Sequence, residues 1–342
     1  MSSKAPSSRT PTSGTPLDGI ELVLADLDGV IYKGAGAIPY AVESINAVTT
    51  RVAYITNNAS RTDATVAAHL TELGLHVAPE DVVTSPQAAM TLLRELVPPA
   101  ATILVVGGDG LVDEVTKAGF TVTRSALDAP AAVIQGFSPE VGWVHLAEAA
   151  FALNGEGTTG DLPWVATNTD WTIPQARGTA PGNGTLVSAV HTAVGRLPVV
   201  AGKPEVPIFR EAFRRFGTER ALMIGDRLDT DILGANRAGI PSVLVLTGID
   251  RAKQVLGAVP QERPTYIVDD LRQLHEPYPE TVVTEGPGVT RTTVGTATVR
   301  REGATLTVES GSGVDLLRAG AAAIWNSGAA IYALDVPAEL YS

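Results

Sequence analysis

Short apolar runs alternate with amphipathic stretches from residue 20 onward, and several of the runs end in a small polar cluster. A run of apolar residues without polar alternation reads as a strand buried on both faces, the mark of a parallel sheet covered by helices. The first series predicts a strand over 20–25, a helix from about residue 39, a strand over 51–55, a helix over 62–73 stopped by Gly74, and a strand over 82–84. Ser85 and Pro86 read as an N-cap and first helical position, launching a helix to about residue 96. After VPPAA at 97–101, a plausible boundary, a second series begins at Ile103 with ILVVG. It continues with a helix over 111–118, a strand over 132–135, a helix over 143–153, a strand over 164–167 and a helix over 185–194. That is enough complete βα units for an inserted domain. The first series resumes at Pro198 with VVAGKP, a helix from about residue 206, the strand ALMIGD, a helix over 230–238 closed by Gly239, and the strand SVLVLT.

Beyond about residue 277 the pattern becomes two alternating runs, 292–300 and 304–309, then a helix over 314–325 and a last strand over 331–334. The expected organisation is therefore an α/β core with a doubly wound parallel sheet over 17–99 and 197–276, an inserted α/β domain over 100–196, and a small C-terminal ββαβ appendage over 277–342. Residues 1–16, with Ser, Thr, Pro and Gly but no apolar stretch, read as a disordered tail rather than a signal peptide.

Composition narrows the function classes. The chain has 342 residues, 44% of them apolar, and a net charge of −12. Such an acidic balance disfavours nucleic acid and anionic membrane surfaces, which need a basic footprint. The absence of cysteine excludes disulfides, thiol catalysis and cysteine metal sites, and fits a reducing compartment. No apolar run approaches the ~18 residues of a membrane span. The expected protein is cytoplasmic, with a homo-oligomer left open.

The polar clusters follow the strands in fixed order: Asp26 and Asp28, then Thr56 with Asn57 and Asn58, then Lys203, then Asp226 and Asp231. Open α/β sheets place ligands at the carboxyl ends of their strands. Two aspartates two residues apart at a strand end can face one site, and Gly29 lets the chain turn sharply away. One carboxylate can attack phosphorus while the other, held protonated, serves a leaving oxygen. Their repulsion demands a cation, and Asp226 can join Asp26 in an oxygen site suited to Mg²⁺. Thr56 and the turn after it can hydrogen-bond phosphate oxygens, and Lys203 adds positive charge. Each piece alone also reads as a turn, a cap or a solvated lysine. Their conjunction points to phosphoryl transfer, which is mostly positioning and electrostatics.

At DLDGV, ITNNASRT, GKP and GDRLDTD the chain resembles the haloacid dehalogenase superfamily, and within it the phosphatases with a type II α/β cap inserted between the second and third motifs. The resemblance covers about residues 20–275. It implies that Asp26 forms an aspartyl-phosphate, that Asp28 is general acid and then base, and that Mg²⁺ is held by Asp26, Asp226 and the Asp28 backbone carbonyl, with Asp231 as outer support. Thr56, Asn57, Asn58 and Lys203 would bind phosphate, and the stretch from Gly29 to Gly34 would form a flap. The NNASR run, the PGNG turn and a C-terminal appendage are similar to those of actinobacterial glycerol 3-phosphate phosphatases. The expected substrate is accordingly a small phosphorylated metabolite, glycerol 3-phosphate first, with pyridoxal phosphate, phosphoglycolate or nucleoside monophosphates as alternatives.

Substrate contacts are expected from Arg61 and from Asn168, Thr169, Asp170 and Trp171, which follow the strand WVAT. A phospho-receiver module shares the acidic pair, hydroxyl and lysine, but a receiver is one uninterrupted domain. A phosphotransferase differs only in the acceptor. The VVGGDG turn at 105–110, the five histidines and the arginines 291, 300 and 301 carry no comparable pattern.

Overall fold

In the computed structural model, the structure describes residues 14–59, 61–155, 162–175 and 177–341. They fall into two compact units, one made of the residues up to Val52 and from Thr218, the other of Ala53–Gly217.

In the first unit four parallel strands lie in the order Tyr266–Val268, Ser242–Val245, Ala221–Gly225, Leu22–Ala25. The strands Leu22–Ala25, Ala221–Gly225 and Ser242–Val245 are buried at every position, as unbroken apolar runs require. Ala25 is in register with Ile224, so Asp26 and Asp226 emerge at one carboxyl edge from neighbouring strands. The helix expected from residue 230 begins earlier, as a π-helical turn over Leu228–Ile232 that continues into Leu233–Ala238. Gly239, at φ 76°, closes it.

The C-terminal part departs from the expected ββαβ order. Four antiparallel strands, Thr281–Gly286, Val289–Val294, Ala297–Glu302 and Thr305–Ser310, precede the helix Gly313–Ser327. Ile331–Ala333 is a 3-10 turn rather than a strand. The strand Thr281–Gly286 is exposed along most of its length, so no apolar alternation marks it in the sequence. Nor is this part a separate appendage. Val294, Val299, Leu306, Leu317 and Ile324 share one hydrophobic cluster with Leu228, Ile232, Leu244, Val255 and Ile267. Arg318, buried in the last helix, donates from Nε to the Ile267 carbonyl at 2.8 Å and from Nη1 to Asp315 at 2.9 Å. Arg291 pairs with Glu309 at 2.9 Å and Arg300 pairs with Glu302, so these two are matched by acids, while Arg301 donates to the Gly303 carbonyl at 3.1 Å.

Residues 1–13 of the expected tail lie outside the described residues. Residues 14–16 are built in: the Gly14 carbonyl accepts from Tyr278 N–H at 2.9 Å, and Pro16 is buried. Among the described residues no helix is long and apolar enough to cross a membrane.

The second unit holds a five-stranded parallel sheet in the order Val199–Val200, Trp164–Ala166, Ala132–Gln135, Thr102–Val106, Thr121–Thr123. Val199–Val200 was expected to return to the core domain, yet it pairs with Trp164–Ala166 at the sheet's edge. The helices Trp143–Asn154 and Asn183–Val194 cover one face through Ala149, Leu153, Val187 and Val190, packed on Leu104, Val133 and Trp164. The same unit contains Val82–Thr84 paired with the end of the strand Arg51–Thr56. It also contains the helix Ser85–Leu96, which packs on Asp109–Lys117 and Pro207–Phe216. That packing is why the division falls at residue 53 and not at the VPPAA segment. Thr84, not Ser85, caps this helix: its Oγ1 accepts from Gln87 N–H, and Gln87 Oε1 accepts from Thr84 N–H at 3.1 Å.

Glu211, in the helix Pro207–Phe216, is the buried hub of this helix packing. Its carboxylate accepts from Thr91 Oγ1 at 3.0 Å, Arg214 Nη2 at 2.8 Å and Arg215 Nη2 at 3.1 Å, and Arg215 also reaches the Val82 carbonyl at 2.8 Å. Burial alone would raise its pKa, but the bonds from Arg214, Arg215 and Thr91 outweigh burial and hold it below the ordinary glutamate value. A depressed folded pKa gives stability that is complete above the unfolded value and is lost as pH falls through the folded one. Glu211→Gln is expected to cost about 2 kcal/mol at neutral pH, with the difference from wild type shrinking below about pH 4. Urea unfolding of both proteins at pH 7 and at about pH 3 measures it; an equal cost at both would mean that the ionised carboxylate is not what stabilises the site.

Candidate active site

The acidic motif residues stand in the first unit. Ligand oxygens of Asp26, Asp226 and Asp231 all lie within 4.8 Å of one another. Asp226 is buried, and its Oδ2 accepts from Ile249 N–H at 2.7 Å. Two glycines make room for it. A Cβ on Gly29, which sits at φ 81°, or on Gly248 would overlap the Asp226 carboxylate. Asp231 is fully buried in the π-helical turn, and its Oδ2 accepts from the N–H groups of Asp226 and Arg227, both at 3.2 Å. This wide turn points a carboxylate back at the end of the preceding strand. Asp231, expected as outer support, thus has a carboxylate oxygen within 4.8 Å of one on each of the other two.

Three carboxylates this close repel one another unless a cation sits among them, and an all-oxygen donor set suits a hard divalent ion such as Mg²⁺. Asp28 is exposed and lies outside the carboxylate cluster. Just after it, Tyr32–Lys33 and Gly36–Ala37 form a two-stranded hairpin in and beyond the stretch expected as a flap. Thr247 Oγ1 donates to the Gly29 carbonyl at 2.7 Å and fixes the turn that leads there.

The second unit holds the remaining motif residues. Thr56 is buried at the end of its strand, and its Oγ1 accepts the Asn58 N–H at 3.1 Å. That backbone donor, expected to face a phosphate, is engaged locally, while the Thr56 hydroxyl proton remains available for donation. Asn57 is buried, and its side chain is committed to protein groups. Oδ1 accepts from Lys203 N–H at 2.7 Å, and Nδ2 donates to the Lys203 carbonyl at 2.9 Å and to Asp170 Oδ1 at 3.0 Å. Both amide hydrogens are therefore in use, which removes the side chain from the expected phosphate donors. Lys203 is 3% exposed, precedes a cis proline, and directs Nζ to within 3.4 Å of the Ile55 carbonyl.

Asn168 differs from expectation in the same way. It is buried, with Nδ2 donating to the Asn57 carbonyl at 2.8 Å and its own carbonyl accepting from Asn183 Nδ2 at 2.7 Å. Its side chain braces the loop instead of facing outward. Asp170 is half-buried and Trp171 is 66% exposed, so of this group Trp171 offers the most free surface. The PGNG turn holds the loop against the helix Asn183–Val194. Gly182 N–H donates to the Trp171 carbonyl at 2.8 Å and Gly184 N–H to the Asp170 carbonyl at 2.9 Å. A side chain at either glycine would collide with the 169–170 backbone. Arg61 and Asn58 are exposed.

Sequence reading missed Ser85 and Asn183. Ser85 is fully buried and donates from Oγ to the Asn57 carbonyl at 2.9 Å, a second prop under the same loop. The T-x-x-Q spacing from Thr84 to Gln87 marks Thr84 as the cap and would have freed Ser85 for another role. Asn183, between two glycines at a helix start, carried a visible but unspecific signal.

A family model described as haloacid dehalogenase-like hydrolase matches residues 23–121, and a second, HAD-hydrolase-like, matches residues 200–274. The chain is 45% identical to the D-glycerol 3-phosphate phosphatase of Mycobacterium tuberculosis over 91% of its own length and 87% of that protein's. It is 34% identical to the glycerol-3-phosphate phosphatase of Gallus gallus over 75% of its own length and 91% of that protein's. The crystal structure of the Mycobacterium tuberculosis glycerol phosphate phosphatase in complex with magnesium superposes with a TM-score of 0.81 at 41% identity, covering 92% of this chain and 93% of that one. A carboxylate cluster at the carboxyl edge of a parallel sheet, a threonine and a buried lysine after two further strands, and identity of this extent place the chain in the haloacid dehalogenase-like hydrolase family.

Proposed function

We propose that the protein is a Mg²⁺-dependent phosphomonoester hydrolase acting on a small phosphorylated polyol, with glycerol 3-phosphate as its substrate. The cluster of Asp26, Asp226 and Asp231 carries this reading. The relatives in Mycobacterium tuberculosis and Gallus gallus, both glycerol 3-phosphate phosphatases, support the substrate.

In this reading an Asp26 oxygen attacks phosphorus while the bond from phosphorus to the ester oxygen breaks. Asp28, protonated, gives its proton to that leaving oxygen. The resulting Asp28 carboxylate takes a proton from water, which attacks the aspartyl-phosphate, and the bond between phosphorus and Asp26 breaks to release phosphate. Asp26, Asp226 and the Asp28 backbone carbonyl would hold Mg²⁺, with Asp231 beside them. When bound, the ion offsets carboxylate repulsion and the negative charge of the phosphoryl oxygens. Thr56 donates its hydroxyl proton to a phosphoryl oxygen, and the Lys203 ammonium stabilises charge there. Asp170, Trp171 and Arg61 select the alcohol, Asp170 by accepting from a polyol hydroxyl. A cytoplasmic location belongs to the same proposal and rests on the cysteine-free composition.

Phosphate release from glycerol 3-phosphate, phosphoglycolate, pyridoxal phosphate and nucleoside monophosphates, with and without Mg²⁺, tests the reading. We expect kcat/KM for glycerol 3-phosphate to exceed the others by at least ~10-fold, since a site that hydrogen-bonds hydroxyls rejects analogues that leave its polar groups unpaired. Release favouring another substrate would keep the hydrolase and replace its substrate. A stable phosphoprotein with no release would overturn hydrolysis.

A further inference from the structure

We infer that Asn57 is a positioning residue: its side chain does not bind the phosphoryl group, but sets the backbone of Lys203 and ties it to the loop that carries Asp170. The inference rests on the hydrolase reading for the role of Lys203, and on geometry for the rest.

A carboxamide is the side chain that can answer both backbone groups of one residue at once. Asn57 does so at residue 203, accepting from its N–H at 2.7 Å and donating to its carbonyl at 2.9 Å, much as a neighbouring strand residue would. The orientation of the amide is not ambiguous. Nδ2 faces two oxygens, the Lys203 carbonyl and Asp170 Oδ1 at 3.0 Å, while Oδ1 faces an N–H, so the flipped amide would set oxygen against oxygen twice. Gly202 confirms how tight the fit is: a Cβ there would meet Asn57 Oδ1 at 2.5 Å and the Thr167 carbonyl at 2.7 Å.

Asn57 is itself held from behind. Its carbonyl accepts from Ser85 Oγ at 2.9 Å and from Asn168 Nδ2 at 2.8 Å, and Asn168 is in turn fixed by Asn183 Nδ2 at 2.7 Å. The three asparagines, 57, 168 and 183, form a buried ladder from the start of the helix Asn183–Val194 to the lysine. Asn57 and Asn168 have both ends of their amides engaged, whereas Asn183 Oδ1 has no partner among the described residues, and removing one member of such a network disturbs the others. Its product is a buried lysine whose backbone has little freedom, and a loop bearing Asp170 that moves only if Asn57 moves. The substrate-facing loop and the charge on the phosphoryl group thereby share one tether.

A double-mutant cycle separates this role from direct phosphate contact. Asn57→Ala is expected to lower kcat by ~100-fold with KM changed less than ~3-fold, the loss typical of a catalytic group displaced by about 1 Å. In a Lys203→Met background the same change should cost less than ~3-fold, because the group it positions is gone. An equal loss in both backgrounds would show that Asn57 acts on substrate directly, and wild-type kcat in Asn57→Ala would end the inference. Asn57→Asp, which keeps size and the acceptor but has no amide donors, repeats the cycle if the alanine variant folds poorly; melting curves identify that case. A second readout needs no turnover. Acylation of Lys203, followed by mass spectrometry, should be at least ~10-fold faster in Asn57→Ala than in wild type, since the clamp closes the local opening that exposes Nζ. Equal labelling would overturn the inference whatever the enzyme's activity, whereas labelling as expected without any wild-type phosphate release would fault the hydrolase reading alone.

Discussion

Asp26→Asn is expected to release phosphate at least ~10⁴-fold more slowly than wild type, the loss seen when a nucleophile is deleted and positioning alone remains. The asparagine side chain has nearly the same shape but cannot form the acyl phosphate, so kcat should fall without a matching change in substrate binding. The fold should survive. The Asp26 backbone N–H donates to the Ile224 carbonyl at 2.8 Å, a strand contact that the substitution leaves in place. Removing one of three carboxylates whose oxygens lie within 4.8 Å also relieves repulsion, so in the absence of Mg²⁺ the variant should melt no lower than wild type. Activity within tenfold of wild type would assign the nucleophile elsewhere, and a melting temperature well below wild type would mean that the cluster is held by a different charge balance.

Removal of the metal should have an effect of similar size. Chelation is expected to lower turnover by at least ~10³-fold, reversibly on adding Mg²⁺, because neither the carboxylates nor the phosphoryl oxygens then have their counter-charge. Binding to the folded state alone also stabilises it, by about 2.7 kcal/mol at a hundredfold excess over Kd. Wild type should therefore melt higher as Mg²⁺ is raised. Asp226→Asn should abolish most of that rise together with activity, since Asp226 is 2% exposed and enclosed by Gly29 and Gly248, with little room for a substitute ligand. Differential scanning calorimetry at several Mg²⁺ concentrations gives both quantities. An Asp226→Asn protein that still gains the full stabilisation would move the metal site away from this cluster.

Much of the fold was legible because parallel strands buried on both faces appear as unbroken apolar runs. Val82–Thr84 and Ala132–Gln135 fall where the runs placed them, and Asp26 and Asp226 leave neighbouring strands at one edge, as their positions after LVLA and ALMIG imply. Illegibility had physical causes as well. Thr281–Gly286 is nearly all exposed, and a strand without a buried face leaves no apolar period to read. Ile331–Ala333 is too short an apolar run for period to distinguish strand from turn. At the site, residue types pointed to acids, hydroxyl and lysine, but not to what each side chain touches. Asn57 and Asn168 look like ligand donors in sequence, and their partners lie 146 and 111 residues away, where no spacing argument reaches. Asp231 was legible as an acid five residues after Asp226, yet only the π-helical turn shows why its carboxylate returns to the strand end.

The common core of the first unit has a consequence for inheritance. Leu228 and Ile232 flank Asp231, and they belong to the same cluster as Val294, Val299 and Leu317. Those three lie beyond residue 274, where the second family model stops. Variation in the C-terminal strands is thus read out at the turn that carries an acid of the cluster, and a change of side-chain volume there calls for a matching change next to Asp231. The C-terminal segment and the acid-bearing sheet are then selected together, and a segment exchanged from a distant relative would arrive without the partners that its apolar face was selected to meet.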